Sequence, residues 1–396
     1  MRNRTVLISG AGIGGPALAF WLSRRGFAPT VVEVAPAPRP GGHAVDLRGA
    51  GREAVERMGL MPAVREATVD ERGFAYVDRN GKWTMKMPAD LFGGEGIVAE
   101  IEIARGDLAR IIHDATRADT EYLFGDRIAA LSEGEDGVKV TFAGGAVRTF
   151  DLVVGADGVH SGVRRLAFGP ESEFVRYLGG YTAYFTVPDP GNLQNWFLMH
   201  NAPGGRVAGV RPERGGTAKA MLSFLSPPLD YDRRDMLAQQ EILREKFSGM
   251  GWLVPAILDA MPGADDFYFD SFSQVHMDRW YRGRTVLLGD AGYCGSPLVG
   301  LGTAMALVGA YVLAGELAAN PGDHTAAFEA YQRELSAYVK QCQQLPPGGL
   351  KGFAPANSVM IALRNLSMRM MTRWPMRQLV GKQFQKADAI TLKDYR

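Results

Sequence analysis

The sequence predicts an α/β protein in which a mostly parallel sheet with helices is interrupted by an antiparallel β-rich region. Three observations carry that reading. First, the β-branched run Thr5 to Ser9, the helically spaced segment Gly15 to Arg25 and the apolar run Thr30 to Val34 make one βαβ unit. Second, from about Glu171 to His276 the pattern becomes short alternating segments divided by Pro- and Gly-rich turns. Third, the buried-strand pattern returns at Thr285 to Leu288 and runs into a long, small-residue-rich helical stretch, Gly302 to Leu317.

A chain of 396 residues is too long for one compact core, so two domains and a tail are expected. The first domain is placed at residues 1–170 and 277–345, the β-rich insert at 171–276 and a C-terminal bridging helix at 350–380. Within the first domain, Arg52 to Met58 and Asp107 to Thr116 read as helices, and Arg127 to Asp151 alternates like a small meander. Within the insert, Tyr181 to Val187, Asn195 to His200, Gly205 to Arg211 and Ala218 to Leu225 read as strands. The tail interleaves Met360, Met368, Met370, Met371 and Met376 with Arg364, Arg369, Arg373 and Arg377, and Pro375 should kink or end its helix. Such a segment either packs across both domains or lies on a membrane surface.

Lys plus Arg number 44 and Asp plus Glu 43, a formal net charge of +1, which gives no basic footprint for nucleic acid. Two cysteines, Cys294 and Cys342, cannot make a disulfide framework. The N-terminus enters a strand with no signal-peptide pattern, and no apolar run is read as reaching the roughly eighteen residues of a membrane span. A cytoplasmic, monomeric protein with a small-molecule substrate is expected. No internal repeat and no convincing metal, thiol or Ser-His-Asp motif is found.

Gly10-Ala-Gly12-Ile-Gly14-Gly15 gives G-x-G-x-x-G between a strand and a helix. Gly10 allows the tight turn, Gly12 lets backbone approach a pyrophosphate, and Gly15 lets helix and strand pack closely. The helix start offers unpaired N–H groups to phosphate. Glu33, at the end of the second strand, stands where an acid takes both hydroxyls of an adenosine ribose. The fold is thus Rossmann-like, and this motif alone leaves NAD and FAD both open.

Two later stretches decide between them. Asp151-Leu-Val-Val-Gly-Ala-Asp157-Gly158-Val-His160-Ser-Gly-Val-Arg164-Arg165 is a strand, a turn and a basic helix start. Arg284-Thr-Val-Leu-Leu-Gly289-Asp290-Ala-Gly-Tyr293-Cys294-Gly-Ser-Pro297-Leu-Val-Gly300-Leu301-Gly302 is a second glycine-rich strand-to-helix turn. With the first turn, they resemble, in order and spacing, the three signatures of the single-component FAD-dependent aromatic hydroxylases. Over its whole length the chain looks most like the tetracycline-inactivating monooxygenases and their actinobacterial relatives. It departs from the pattern at Tyr293, where His is common, and at Gly309, where Asp is usual.

The resemblance implies FAD between a Rossmann-like domain and an inserted substrate domain. Gly289 and Asp290 would meet the ribityl chain, although Asp290 could equally be a helix cap. Pro297, Gly300, Leu301 and Gly302 would offer N–H groups to the flavin N1 and C2 carbonyl, where a helix N-terminus favours negative charge. Arg105 would reach the ribityl or phosphate region and Arg48 the isoalloxazine. Asp157 and Gly158 would close over the pyrophosphate, the acid acting on backbone or water because two anions in contact repel. His160, Arg164 and Arg165 are candidates for a visiting NADPH or NADH, or simply a solvated basic face. Phe185, Phe197, Met199, Met221, Phe224 and Tyr293 are candidates for the substrate pocket, or ordinary core. The implied cycle reduces FAD with NAD(P)H, adds O2 at C4a, and delivers one oxygen to an aromatic or polycyclic substrate, with Arg48, Pro297 and Gly300 nearest the chemistry. A flavin-dependent quinone or alkene reductase and a non-catalytic flavin or ligand binder are the alternatives.

Overall fold

The computed structural model describes residues 4–38, 41–69, 71–92, 101–371 and 389–395. Its first sheet has six strands, in the order Tyr281–Arg282, Thr285–Leu287, Leu152–Gly155, Thr5–Ser9, Ala28–Glu33 and Glu121–Phe124. All pair in parallel except the Tyr281–Arg282 edge. The central strands are covered on both faces, which is why they are unbroken runs of Val, Leu and Ile: Val6, Leu7, Ile8, Leu152, Val153, Val154, Val286 and Leu287 are fully buried. Ser9 lies opposite Gly155, and Gly155 opposite Leu287. The turns that follow these three strands therefore leave the sheet along one edge, the edge at which open α/β sheets take their ligands.

The helix Gly14–Arg24 packs against the long helix Gly302–Ala319, which also packs against His324–Cys342. Gly302–Ala319 has 18 residues and a mean hydropathy of 1.4, so the expectation that no apolar run reaches spanning length is corrected. Its apolar character goes with burial between its neighbours, since 72% of it lies inside the molecule. The alternating stretch after Arg127 forms a three-stranded antiparallel sheet, Ile128–Gly134, Gly137–Phe142 and Val147–Phe150.

A second sheet has seven strands, in the order Tyr268–Val275, Val175–Pro188, Thr217–Leu225, Arg206–Pro212, Trp196–Ala202, Gly73–Val77 and Trp83–Pro88. The last two precede residue 171, so the boundary read from the sequence is corrected: they belong to the insert's sheet. Gly73–Val77 joins it in parallel with Trp196–Ala202, a pairing between distant segments that no local pattern signals. Two helices inside the insert, Met236–Phe247 and Val254–Ala260, were also not expected from its alternating texture. They cover one face of the sheet, where Phe185, Leu222 and Phe224 pack with Leu243, Phe247 and Ile257.

The opposite face carries Phe74, Tyr76, Met85, Met87, Phe197, Met199 and Met221. The tail closes one end of it through Gly349–Phe353 and Ser358–Met371, with Phe353, Ala354 and Met368 in that cluster. Arg364 lies 3.8 Å over the Tyr76 ring and donates to Asn201 Oδ1 at 3.0 Å, so this arginine ties the tail to the second sheet. Arg373, Pro375, Met376 and Arg377 lie outside the described residues. Residues 389–395 return to the first domain, where Leu392 is buried and Arg57 donates to the carbonyls of Leu392 and Lys393.

Phe185 lies in the layer between sheet and helices. Phe185→Ala is expected to lower unfolding free energy by about 3–5 kcal/mol in denaturant titrations.

Candidate functional site

The three turns at the first sheet's edge meet as the sequence implies. A Cβ on Gly10 would collide with the Ala156 carbonyl, and one on Gly15 with the Gly10 carbonyl, so these glycines allow close backbone contact. Gly12 is different, because the nearest atom a Cβ would meet is Nη2 of Arg105 at 3.5 Å. The first glycine turn is thus open on the side that Arg105 covers. Gly14 packs against Leu288 and Ala306 instead, tying the first helix to the third turn. Neither helix that starts here has a side-chain cap: Ile13 precedes Gly14–Arg24 and Leu301 precedes Gly302–Ala319. Both keep their first N–H groups for whatever occupies the cleft.

Glu33 accepts from Ala11 N at 2.8 Å and Ala35 N at 2.9 Å, which fixes its carboxylate under the first turn. Asp157 accepts from Ser161 Oγ and, at 3.1 Å, from Val163 N, so it holds the start of helix Gly162–Ala167. Gly158 follows it at φ +83°. Burial pushes the Asp157 carboxyl up, and the Ser161 hydroxyl opposes that. Asp290 begins the short helix Asp290–Tyr293 after Gly289, whose φ is +64°. Burial also raises Asp290, with Arg105 opposing from across the cleft. Pro297 and Gly300 are exposed on the turn before the long helix, and Gly302 sits against Asp290 Oδ1. Arg48 is almost fully buried and pairs with Asp46 at 2.8 Å.

Several candidates stand elsewhere. Arg164 is fully buried and donates to the Ala291 and Val159 carbonyls, so it braces the second turn against the third and cannot meet a docking dinucleotide. Arg165 is exposed. His160 bridges Glu171 at 3.0 Å and Asp270 at 2.9 Å, and Arg233 joins them. Burial alone would lower its imidazolium, but those two carboxylates raise it to about 9. Phe185 and Phe224 point into the helix-covered face and cannot line a pocket on the other. The pleat decides this: along Tyr184-Phe185 the apolar ring goes one way and the phenol the other.

Tyr293 is corrected too. It is 1% exposed in the first domain's core, where its hydroxyl meets Tyr331 at 2.8 Å and its ring meets Trp280. A Cβ on Gly309 would collide with that hydroxyl. The two departures from the resembled pattern are one compensated change, a larger ring filling space that a missing side chain leaves.

Phe197, Met199 and Met221 do share the face opposite the insert's two helices. Cross-strand register makes one row of Tyr184, Met221, Gly209, Met199, Tyr76 and Met85. Gly209 matters at its centre, since a Cβ would stand 3.0 Å from both Met221 and Phe197. One end of the face is polar. His43 stacks on Tyr184 with centroids 4.9 Å apart, and Arg211 lies 4.6 Å over Phe197 while pairing with Glu71 and Glu102. Burial, with Arg105, Arg211 and Lys219 nearby, holds His43 down at about 3 and therefore neutral. Tyr184 could have been found from the alternation of its strand. His43 and Asp46 come from one segment and Glu71 and Glu102 from two others, and no local pattern links the three.

Comparisons with known proteins agree with this geometry. A model of the FAD binding domain family matches residues 3–345. A flavin-dependent monooxygenase of Legionella longbeachae is 39% identical over 344 residues, covering 87% of this chain and 88% of that one. The chain belongs to this family of flavin-dependent monooxygenases. An uncharacterised Mycobacterium tuberculosis protein is 45% identical over 354 residues, 89% of this chain and 95% of its own. The tetracycline destructase Tet(51) superposes with a TM-score of 0.83 at 32% identity, covering 100% of each chain.

FAD fits the residues of this flavin-dependent monooxygenase. An open glycine under Arg105 and two uncapped helix starts facing one cleft supply donors for an anionic dinucleotide, and the acid at the end of the second strand supplies an acceptor for ribose hydroxyls.

Two stability predictions follow from this packing. Gly309→Ala should cost about 1–3 kcal/mol by overcrowding, and Tyr293→Phe should relieve part of that loss in a double-mutant cycle. His160→Ala should lower the melting temperature near neutrality. A raised imidazolium stabilises below its unfolded value and loses that contribution as pH rises through about 9, so the difference should close above that point.

Proposed function

We propose that this chain is an FAD-dependent monooxygenase that uses NADPH or NADH and O2 to hydroxylate an aromatic or polycyclic small molecule. The row of methionine and aromatic side chains on the second sheet, ending in the polar group around Arg211, carries the reading. Such a floor suits a flat, mostly apolar ring system with an oxygen-bearing end. FAD, when bound, supplies the redox and oxygen chemistry.

The chain's own residues bind, orient and exclude. Gly12, Arg105 and the start of helix Gly14–Arg24 take the pyrophosphate, and Glu33 the ribose. Asp290 and the turn Pro297 to Gly302 take the ribityl and pyrimidine end, with Arg48 beside it. Asp157 and Gly158 shape the second turn without touching phosphate. Phe197, Met199, Met221 and Tyr184 hold the substrate against the flavin, and the tail helices close the far end against water. Arg165 is the exposed cation left for nicotinamide phosphate, which would dock only transiently because no second G-x-G-x-x-G exists.

The full coverage and 32% identity shared with a tetracycline destructase support a polycyclic substrate. The test is to purify the protein, look for a flavin spectrum, and follow NADH and NADPH oxidation and oxygen uptake with and without polycyclic phenols. Substrate-stimulated oxygen uptake is expected. Turnover without oxygen would indicate a reductase, and no reduction at all would indicate a binder. Arg105→Ala should weaken FAD by about 10- to 100-fold in fluorescence titration, the loss of a charge-assisted hydrogen bond.

A further inference from the structure

The row of side chains on the second sheet has one more member, at the end nearest the first domain. Cross-strand register sets Tyr268 beside Tyr184, at the head of the line that continues through Met221, Gly209 and Met199. Side chains paired directly across strands share a face, so Tyr268 stands opposite the insert's helices, while Phe269, next along the strand, packs on the helix-covered side. The Tyr268 ring stacks on Tyr184, with centroids 6.5 Å apart and planes 28° apart, and Tyr184 in turn stacks on His43. The His43 carbonyl accepts from Arg105 N at 3.1 Å, and Arg105 Nη2 lies against Gly12. The three stacked rings therefore run from the second sheet to the cleft at the first sheet's edge. Tyr268 is 44% exposed, yet burial still raises its phenol well above the ordinary value, so its open surface faces that cleft and not bulk water.

The Tyr268 hydroxyl is not free to turn. It donates to Asp270 Oδ2 at 2.9 Å, two residues along the same strand. Asp270 is 6% exposed and accepts from Ser271 N at 2.7 Å, and its Oδ2 stands 2.9 Å from His160 Nε2. His160 belongs to the second turn, so this carboxylate is fixed from the first domain as well as from its own strand. On its other side His160 meets Glu171, with which Arg233 also pairs. A phenol has one proton and two lone pairs, and a carboxylate only accepts. With its proton committed to Asp270, Tyr268 presents lone pairs alone to the cleft. Among the described residues its oxygen makes no other hydrogen bond. The neighbouring floor, Met221, Met199 and Phe197, has no strong donor to meet it.

On the reading that this floor holds the substrate, we propose that Tyr268 sets specificity by accepting a hydrogen bond from the substrate, with Asp270 and His160 as the residues that position it. The substrate class narrows to flat ring systems that carry a donor, a phenolic hydroxyl or a ring N–H, at the edge nearest the first domain. A ring with an ether oxygen at that edge sets two acceptors face to face and is rejected.

Calorimetric titration of the FAD-loaded protein with hydroxynaphthalene, hydroxyanthracene and hydroxyanthraquinone, each beside its own methyl ether, tests the proposal. The natural protein should bind at least one phenol about 10-fold more tightly than its ether, the weight of one hydrogen bond. In Tyr268→Phe, which keeps the ring and leaves Asp270 with His160 and Ser271, that ratio should fall to about 2-fold or less. Comparing the ratio between the two proteins cancels the bulk of the methyl group. Asp270→Asn should lower the ratio as well, although the phenol oxygen is still present. Its amide offers one oxygen to three donors, and its N–H can turn the tyrosine proton toward the cleft. A merely structural role for Asp270 would weaken phenol and ether together and leave the ratio unmoved, which overturns the positioning assignment. A natural protein that binds none of the phenols or prefers the ethers overturns the proposal, as does a Tyr268→Phe that keeps the preference. Flavin uptake with substrate-stimulated oxygen consumption but equal ratios sinks this proposal and leaves the monooxygenase reading standing. A protein that takes up no FAD sinks that reading, while the same titrations without FAD still report on Tyr268.

Discussion

An anionic dinucleotide can be held only where backbone N–H groups converge without side chains in the way, and this fold meets that demand by register. Thr5–Ser9, Leu152–Gly155 and Thr285–Leu287 run side by side in parallel, and their turns emerge at one edge. Shifting any of the three by one residue would turn its buried side chains to the other face and move its turn away from the others. The contacts around Gly10, Gly15 and Arg164 are consequences of that alignment, because they lock one turn against the next. The two helix starts then point into a common cleft with their amides unclaimed by side chains.

The second sheet is the other wall, and its two faces have separate duties. One is sealed by helices and packs as a hydrophobic core. The other is soft and apolar along its middle, with methionines that adapt to shape, and charged where it meets the first domain. Arg211 binds the walls together, since it comes from the sheet and pairs with Glu71 and Glu102 from the first part of the chain.

What the sequence made legible was local. Strand, turn and helix in immediate succession signal the three turns, and the structure sets Gly12 beneath Arg105, Glu33 under the first turn and Asp290 opposite Arg105. What it hid was set by tertiary pairing. Phe185 and Phe224 looked like pocket residues because apolar character does not tell which side of a pleat a ring occupies. Arg164 looked like a solvent-facing cation because its acceptors are carbonyls, and one of them, Ala291, lies far along the chain. Gly73–Val77 and Trp83–Pro88 joined a sheet whose other strands lie beyond residue 171, and the carboxyl cluster gathers three remote segments.

Tyr293 and Gly309 bear on how such a site is reached by single steps. A glycine in the long helix costs roughly 1 kcal/mol of helix propensity but leaves room. A tyrosine opposite any residue with a Cβ would instead force a collision in a fully packed core. A lineage moving toward this pair therefore has a preferred order, with the small residue at 309 arriving first. Once the ring is seated on Tyr331, the way back is closed in the reverse order, and the two sites are bound to a joint history.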